Sequence, residues 1–459
     1  MELDVADEGG PEDPKDPAVA AALDRLRARD RDAAYAAAAA WGSVAPDGEA
    51  GQVHQRFVQD FLWYRLPVKW WTDEGEHLEI AAGLAGLFDE LGMGRYAELC
   101  RSATTREVIA AWHRDEKAGS AAYRKAVDAS GIDAPDTDVL VWGEVMPSEE
   151  SDARDQVAVS LERAIVDGEL TPGRRGWRAR QRELTVAALS EQVPGHPGRQ
   201  DWLGLVTTAR MIRWIEQRRS PRRRALIGRW EATLLHPVDP PSDVERVVAP
   251  LTWLLGRAAD GGVALMGQHN LARPVVQAMC EAFGWWDPRL GSAPMREDDV
   301  LEVAVVHELA RDRRWVRRQG RTLKATKSGT TLAADDIAAW RALASAMAGP
   351  GGFDGFAREC ALLLLLDHEQ VGRRELQVGL AELAAEAGWH DRLSGRGPTP
   401  EELGRFVFPL LTVLETFGLH VEHDVPGQGR FDRLTDAGRA TALEALRVRA
   451  TVPQHRLLD

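Results

Sequence analysis

The chain has only three cysteines, Cys100, Cys280 and Cys360, far apart in sequence. That spacing excludes a disulfide framework and a Cys-x-x-Cys metal knuckle, and suggests core filler in a reducing cytoplasm. No apolar stretch approaches the ~20 residues needed to cross a bilayer, and the best run is Ala361 to Leu366. The acidic N-terminus, Met1 to Pro17, lacks the apolar segment of a secretory signal and the basic character of a transit peptide. It reads as a disordered tail. Positive charge is also short: the net charge is -14, which opposes nonspecific attraction to nucleic acid, and lysine is scarce beside arginine. The chain has no Gly-x-x-x-x-Gly-Lys phosphate loop and no Gly-x-Ser-x-Gly elbow.

What is present is ordinary soluble-protein composition, 44% hydrophobic and 28% charged, over 459 residues. This length predicts about three to four domains. Internal repeats favour four. Trp41-Gly42-Ser43-Val44-Ala45-Pro46 returns as Trp142-Gly143-Glu144-Val145-Met146-Pro147. Thr104 to Ile109 aligns loosely with Thr207 to Ile212, at nearly the same spacing. Leu323 to Gly329 has a shorter echo in Arg433 to Gly438, each ending on Thr-x-x-Gly. Repeats of this kind mark duplicated structural units rather than chemistry.

Apolar residues recurring at three and four predict helices throughout the first half. Ala18 to Ala40 is expected to end before a Trp41-Gly42 turn. Val53 to Tyr64 is expected to be stopped by Pro67. Trp63, Tyr64, Trp70 and Trp71 crowd that helix end as core anchors or as a partner patch. The units are placed at 18–140 and 141–240, with the Pro-rich stretch His236 to Ser242 as the linker that follows.

Beyond it the order changes. Val247 to Arg257 and Ala272 to Phe283 read as helices, with a short strand at Val263 to Met266 between them. A helix from Glu297 to Arg311 follows, then β-prone runs at Trp315 to Arg318 and Thr322 to Ala325 around a Gln319-Gly320-Arg321 turn. Thr326 is placed to cap the next helix. After a Gly-rich linker, Gly349 to Gly355, the order returns: helices at Phe356 to Leu366, Gly372 to Ala387 and Pro400 to Phe417, then a hairpin through Leu419 to Leu434 and a helix opened by Thr435.

Helices followed by a β-hairpin and a capped helix resemble the winged helix-turn-helix superfamily, over residues 241–348 and 353–450. The strand-then-Thr-x-x-Gly ending is similar to that of regulators of the multiple-antibiotic-resistance type. The fold class expected is therefore mainly α: duplicated helical units followed by two winged-helix domains with small β-hairpins. The resemblance implies a helix in the DNA major groove and a wing on the adjacent backbone. Those helices would be Glu297 to Arg311, which opens on three acids, and Pro400 to Phe417, which reads as largely buried.

The strongest electrostatic signal is the first wing. Arg311, Arg313, Arg314, Arg317, Arg318, Arg321, Lys324 and Lys327 crowd one hairpin and its approach, opposed by Asp312 alone. Such a cluster suits phosphate, each contact adding a salt-dependent increment. The second wing sets Glu422, Asp424, Asp432 and Asp436 against Arg430, Arg433 and Arg439. A further basic group, Arg174, Arg175, Arg178, Arg180, Arg182, Arg218, Arg219 and Arg222 to Arg224, is interleaved with Trp177, Trp214 and Trp230, an arrangement that either stacks on bases or packs a core.

His307-Glu308 and His368-Glu369 begin like a zincin helix but lack the second histidine. His420 and His423 fall on opposite faces of a strand. No metal, cofactor or catalytic residue is expected. The sequence thus supports a non-enzymatic, cytoplasmic DNA-binding or regulatory protein using the basic wing on phosphate. The alternative is a protein-interaction scaffold, partnered by another protein or by itself, in which the winged helices are packing or oligomerisation modules. No membrane partner is expected in either case.

Overall fold

The computed structural model describes residues 15–453 apart from 196–199, 218–219, 268, 288, 290, 292 and 427–428. Residues 1–14 of the expected tail, Arg218 and Arg219 of the second basic group, and the centre of the second hairpin turn lie outside the described residues. Helices dominate, accompanied by two small antiparallel sheets. The chain forms two compact units, Met1–Val206 with Pro453–Asp459, and Thr207–Val452.

Unit 1 opens with α1 (Pro17–Arg29) and α2 (Arg31–Val44). The single helix expected over 18–40 is divided at Asp30. This residue has an extended backbone, and its carboxylate accepts from Ala33 N at 3.0 Å, which opens the second helix as the first closes. Pro17 begins α1 and Asp16 caps it, so the last residues assigned to the tail are structured.

Trp41 and Gly42 lie inside α2, not in a turn after it, whereas Trp142 and Gly143 lie in a non-helical segment. The indole of Trp41 donates to Gly48 O, seven residues ahead, and that of Trp142 to Pro135 O, seven residues behind. The two Trp-Gly motifs are alike in sequence and do not mark the same turn.

The next helix also departs from expectation. It runs as α3 (Gln55–Asp60), a π turn at Phe61–Arg65, and α4 (Leu66–Lys69), passing through Pro67. The wide turn, with Leu66 N on Phe61 O, takes up the carbonyl clash and missing donor that a proline imposes on a regular helix. Then come α5 (Glu74–Glu90), α6 (Gly94–Arg101), α7 (Ala103–Arg114) and α8 (Glu116–Ser130). They share a core with α2 in which Trp63 is buried, its indole donating to Thr105 Oγ1 at 2.9 Å. Of the aromatic cluster at this helix end, Trp71 alone is fully exposed, at 100%. Helices α9 (Ser148–Val166) and α10 (Trp177–Leu189) build a second, smaller core, and α11 (Trp202–Glu216) runs across the division between units.

Unit 2 adds two short helices, α12 (Pro221–Gly228) and α13 (Glu231–Leu234), and then repeats one order of elements twice. The first copy is α14 (Val244–Ala259), β1 (Val263–Ala264), α15 (Arg273–Phe283), α16 (Leu301–Asp312), β2 (Val316–Gln319), β3 (Thr322–Ala325), α17 (Lys327–Ala334) and α18 (Asp336–Met347). The second is α19 (Gly352–Asp367), β4 (Val371–Gly372), α20 (Arg373–Glu386), α21 (Pro400–Thr416), β5 (His420–Val425), β6 (Gly429–Leu434) and α22 (Asp436–Thr451). The sheets have matching orders, β1-β3-β2 and β4-β6-β5. The short strands β1 and β4 complete them, and β4, only two residues long, is too short to carry a periodicity of its own.

The helix expected over Glu297 to Arg311 is two elements. Glu297–Asp299 form one 3₁₀ turn, closed by the Asp299 carboxylate on the Met295 and Arg296 amides, and α16 begins only after Val300. The Gly349 to Gly355 linker is half helix, since α19 starts at Gly352. A side chain at Gly355 would fall on the Pro350 carbonyl. The apolar run Ala361 to Leu366 is buried throughout in the middle of the shared core, where each leucine contributes about 2 kcal/mol of burial.

The Thr-x-x-Gly repeat has the same physical basis in both copies. Thr326 and Thr435 are N-caps whose hydroxyls accept from the amides of Gly329 and Gly438, at 3.2 and 3.0 Å. Their own amides bond the carbonyls of Trp315 and Leu419. A Cβ at either glycine would land on that same carbonyl oxygen.

Candidate functional site

The first hairpin gathers most of the expected phosphate-binding residues but does not leave them equivalent. Register pairs Arg317 with Lys324 and Arg318 with Leu323. Val316 and Leu323 face the core, so Arg317 lies on the outer face and Arg318 on the face that continues toward the interior. Arg318 is held by the His269 ring, and Lys324 Nζ donates to Gly261 O at 2.5 Å. Arg313 donates to Ala346 O at 2.7 Å, and burial together with the Arg358 charge pulls its guanidinium below its ordinary value. Arg311 meets Asp312 at 3.4 Å on the open surface. The side chains of Arg314, Arg317, Arg321 and Lys327 are exposed and have no partner among the described residues.

The two helices that precede the hairpins occupy each other. The backbones of α16 and α21 approach within 8 Å, and Val303, Val306 and Ala310 of one join Val407, Leu410 and Leu411 of the other in a single core. What remains outward on α16 is Leu301, Glu308, Arg311 and Asp312; on α21 it is Glu401, Arg405, Phe408, Pro409 and Glu415. Glu297, one of the three acids at the start of this region, is buried. It takes the His307 ring at 2.8 Å and the Leu271 amide.

Of the described residues in the second basic group, four are consumed structurally. Arg223 is 2% exposed and pairs with Glu359 at 2.6 Å, while its remaining donors go to the carbonyls of Trp214, Ile215 and Gln217. Glu359 also accepts from Arg449 at 2.6 Å and from the Trp214 indole at 3.0 Å. One buried carboxylate thus ties α11, α12 and α22 to α19, a hub that the sequence did not reveal. Arg178 pairs with Asp128, Arg180 with Glu169 and Glu183, and Arg222 with Glu382.

The histidines are likewise structural. His420 is buried against Asp432, which also takes both arms of Arg373, and His423 stacks on Phe431. Among the described residues no three His, Cys, Asp or Glu side chains converge in a way that would hold a metal ion. All three cysteines are buried and free, and burial pushes the Cys100 thiol up to about 12.

Unit 1 contains a cleft that no motif announces. It measures about 560 Å³ and lies between α3, α8, α9, α10 and the segment 131–135, within the range of small-ligand sites. Glu162 of α9 fixes the start of α3 by accepting from Gln55 N at 2.7 Å. Arg56 bridges Asp155 at 2.8 Å and Asp133 at 3.4 Å, and Arg154 grips both oxygens of Asp133. Burial raises the carboxyls of Asp60 and Asp155 above the ordinary range against the pull of Arg65 and Arg56. Burial, then the charges of Asp60 and Asp133, raise the Tyr123 phenol. Among the lining groups without partners in the described residues are the Gln59 amide, on a residue 4% exposed, the Tyr123 and Ser151 hydroxyls, and the buried Nε of Arg154.

Comparison with known proteins gives no neighbour: no family, no curated protein and no solved structure matches the chain.

Proposed function

We propose that unit 2 is a tandem pair of winged-helix modules fused into one body, and that the chain is a non-enzymatic regulatory protein of the cytoplasm that works by holding a protein partner. The observation that carries this reading is the packing of α16 on α21. On this reading α16 and α21, the helices that precede the two hairpins, take the part of recognition helices. In a dimeric reader they enter successive major grooves about 34 Å apart; two helices in contact have no such span. Their outward residues are acidic and apolar with two arginines, a surface suited to a partner with apolar anchors and basic flanks rather than to base edges.

The exposed side chains Leu301 and Phe408, at 54% and 57%, are the natural anchors. Affinity capture with the intact protein, beside Leu301→Glu and Phe408→Glu variants, tests this. A partner recovered by the native protein and lost by both variants supports it. A strictly monomeric protein that recovers nothing contradicts it.

A second reading keeps nucleic acid as the partner, supported by the four unpaired basic side chains of the first wing, Arg314, Arg317, Arg321 and Lys327. Such a contact would be made to phosphate alone, without sequence preference.

A further inference from the structure

The cleft of unit 1 has the features of a binding site and no part in the reading of unit 2. Its walls come from four helices and one connecting segment, so it is assembled by the tertiary fold rather than by a loop. Most of its charges are already spent on each other. Asp133 is held by Arg56 and Arg154, and Asp128 by Arg178 through two short bonds. Two carboxylates are less well matched. Asp60 has only Arg65, at 3.5 Å, and Asp155 has only one oxygen on Arg56.

Beside them is a polar group that a folded chain does not ordinarily leave alone. Gln59 is 4% exposed, lines the cleft and has no partner among the described residues; it stands one residue before Asp60 on α3, and the π turn begins immediately after that pair. Turns of this kind recur at functional sites. The rings of Phe57 and Tyr123 also line the space; aromatic faces attract a cation within about 6 Å.

We propose that this cleft binds a small organic cation, a primary amine or guanidinium, between the carboxylates of Asp60 and Asp155, with the Gln59 carbonyl and the Tyr123 hydroxyl accepting its remaining N–H groups. An organic cation fits better than a metal ion, because no cluster of three ligating side chains is present among the described residues. An anion would find Arg56, Arg154 and Arg178 paired with Asp155, Asp133 and Asp128, and would have left to it only the Nε of Arg154 and the exposed Arg124.

Calorimetric titration of the full chain at low salt with n-butylamine, putrescine and agmatine tests the proposal, beside n-butanol and butyrate as neutral and anionic analogues of the same shape. The expected result is saturable one-to-one binding of at least one cation and none of either analogue. Asp60→Asn and Asp155→Asn, each checked for native circular dichroism, are expected to weaken that binding at least tenfold. Arg317→Ala in unit 2 is expected to leave it unchanged. Binding of butyrate, binding of no cation, or binding undiminished in both folded carboxylate variants would overturn the proposal. Because the analogue series needs no substitution, the test stands even if a variant fails to fold.

Discussion

The Trp340 indole donates to the Thr441 hydroxyl at 2.9 Å inside the core of unit 2, joining α18 to α22. Helix α18 lies in the stretch after the first hairpin and α22 in that after the second. The meeting of α16 with α21, the helices that precede the two hairpins, is the pairing that a two-fold axis imposes on a dimer. Here the two partners are consecutive stretches of one chain, and a single core runs through both.

The capped turn that ends each hairpin sets the first prediction. Gly329→Ala and Gly438→Ala each drive a methyl into a backbone carbonyl, and each is expected to cost about 3 kcal/mol. Gly42→Ala meets no atom within 4 Å and sits in a helix, so it is expected to stabilise by about 0.5–1 kcal/mol. Urea unfolding midpoints with unchanged m-values would check the contrast.

Arg314 is the position where the two copies disagree in backbone chemistry. It holds φ +56°, the left-handed region, where the second copy places Gly418 at φ +65°. Arg314→Gly is therefore expected to raise stability by about 1 kcal/mol while removing one unpaired charge beside the first hairpin. A drop in the unfolding midpoint would show that the arginine side chain contributes more than its backbone strain costs.

Glu359 holds two arginines and a tryptophan in a buried setting. Glu359→Gln leaves Arg223 and Arg449 without their anion, and breaking such a pair on one side typically costs about 3–5 kcal/mol. The loss is expected in unit 2 and readable as reduced protection from hydrogen exchange in α11, α12 and α22.

His54 gives unit 1 a pH dependence. Burial, aided by the Arg56 charge, pulls its imidazole down to about 4 from 6.5. The folded form therefore holds the ring neutral where the unfolded chain would protonate it. Stability from this group is present above pH 6.5 and is lost as pH falls from 6.5 toward 4, by at most about 1.4 kcal/mol per pH unit. His54→Gln should flatten that limb in a pH series of thermal unfolding. An unchanged slope would assign the limb to other groups.

What the sequence made legible is what is local. The Thr-x-x-Gly ending could be read because a cap and its close-approach glycine lie within four residues, and the hairpins because Gly320 and Pro426 to Gly429 punctuate alternating runs. The Trp-Gly repeat misled because identical letters were read without their surroundings: Trp41 lies inside a helix and Trp142 in a non-helical segment. Pro67 misled because a π turn elsewhere on the helix absorbed its effect. The hub at Glu359 spans 136 residues to Arg223, and the cleft draws on four helices; neither leaves a mark in periodicity or spacing. The first hairpin was legible as a charge cluster. The sequence did not reveal that Arg313, Arg318 and Lys324 would be spent on Ala346, His269 and Gly261.

The central claim is that α16 and α21 serve each other and not a DNA groove. Its most direct test is a polarisation titration comparing random duplex with the best duplex selected from a randomised pool, across about 50 to 200 mM salt. The account predicts equal affinity for the two duplexes at every salt concentration, with any binding confined to low salt and weakened by Arg317→Ala and Arg321→Ala. A selected duplex bound on the order of a thousandfold more tightly than random sequence, with that preference lost on changing Glu308 or Arg405, would contradict it.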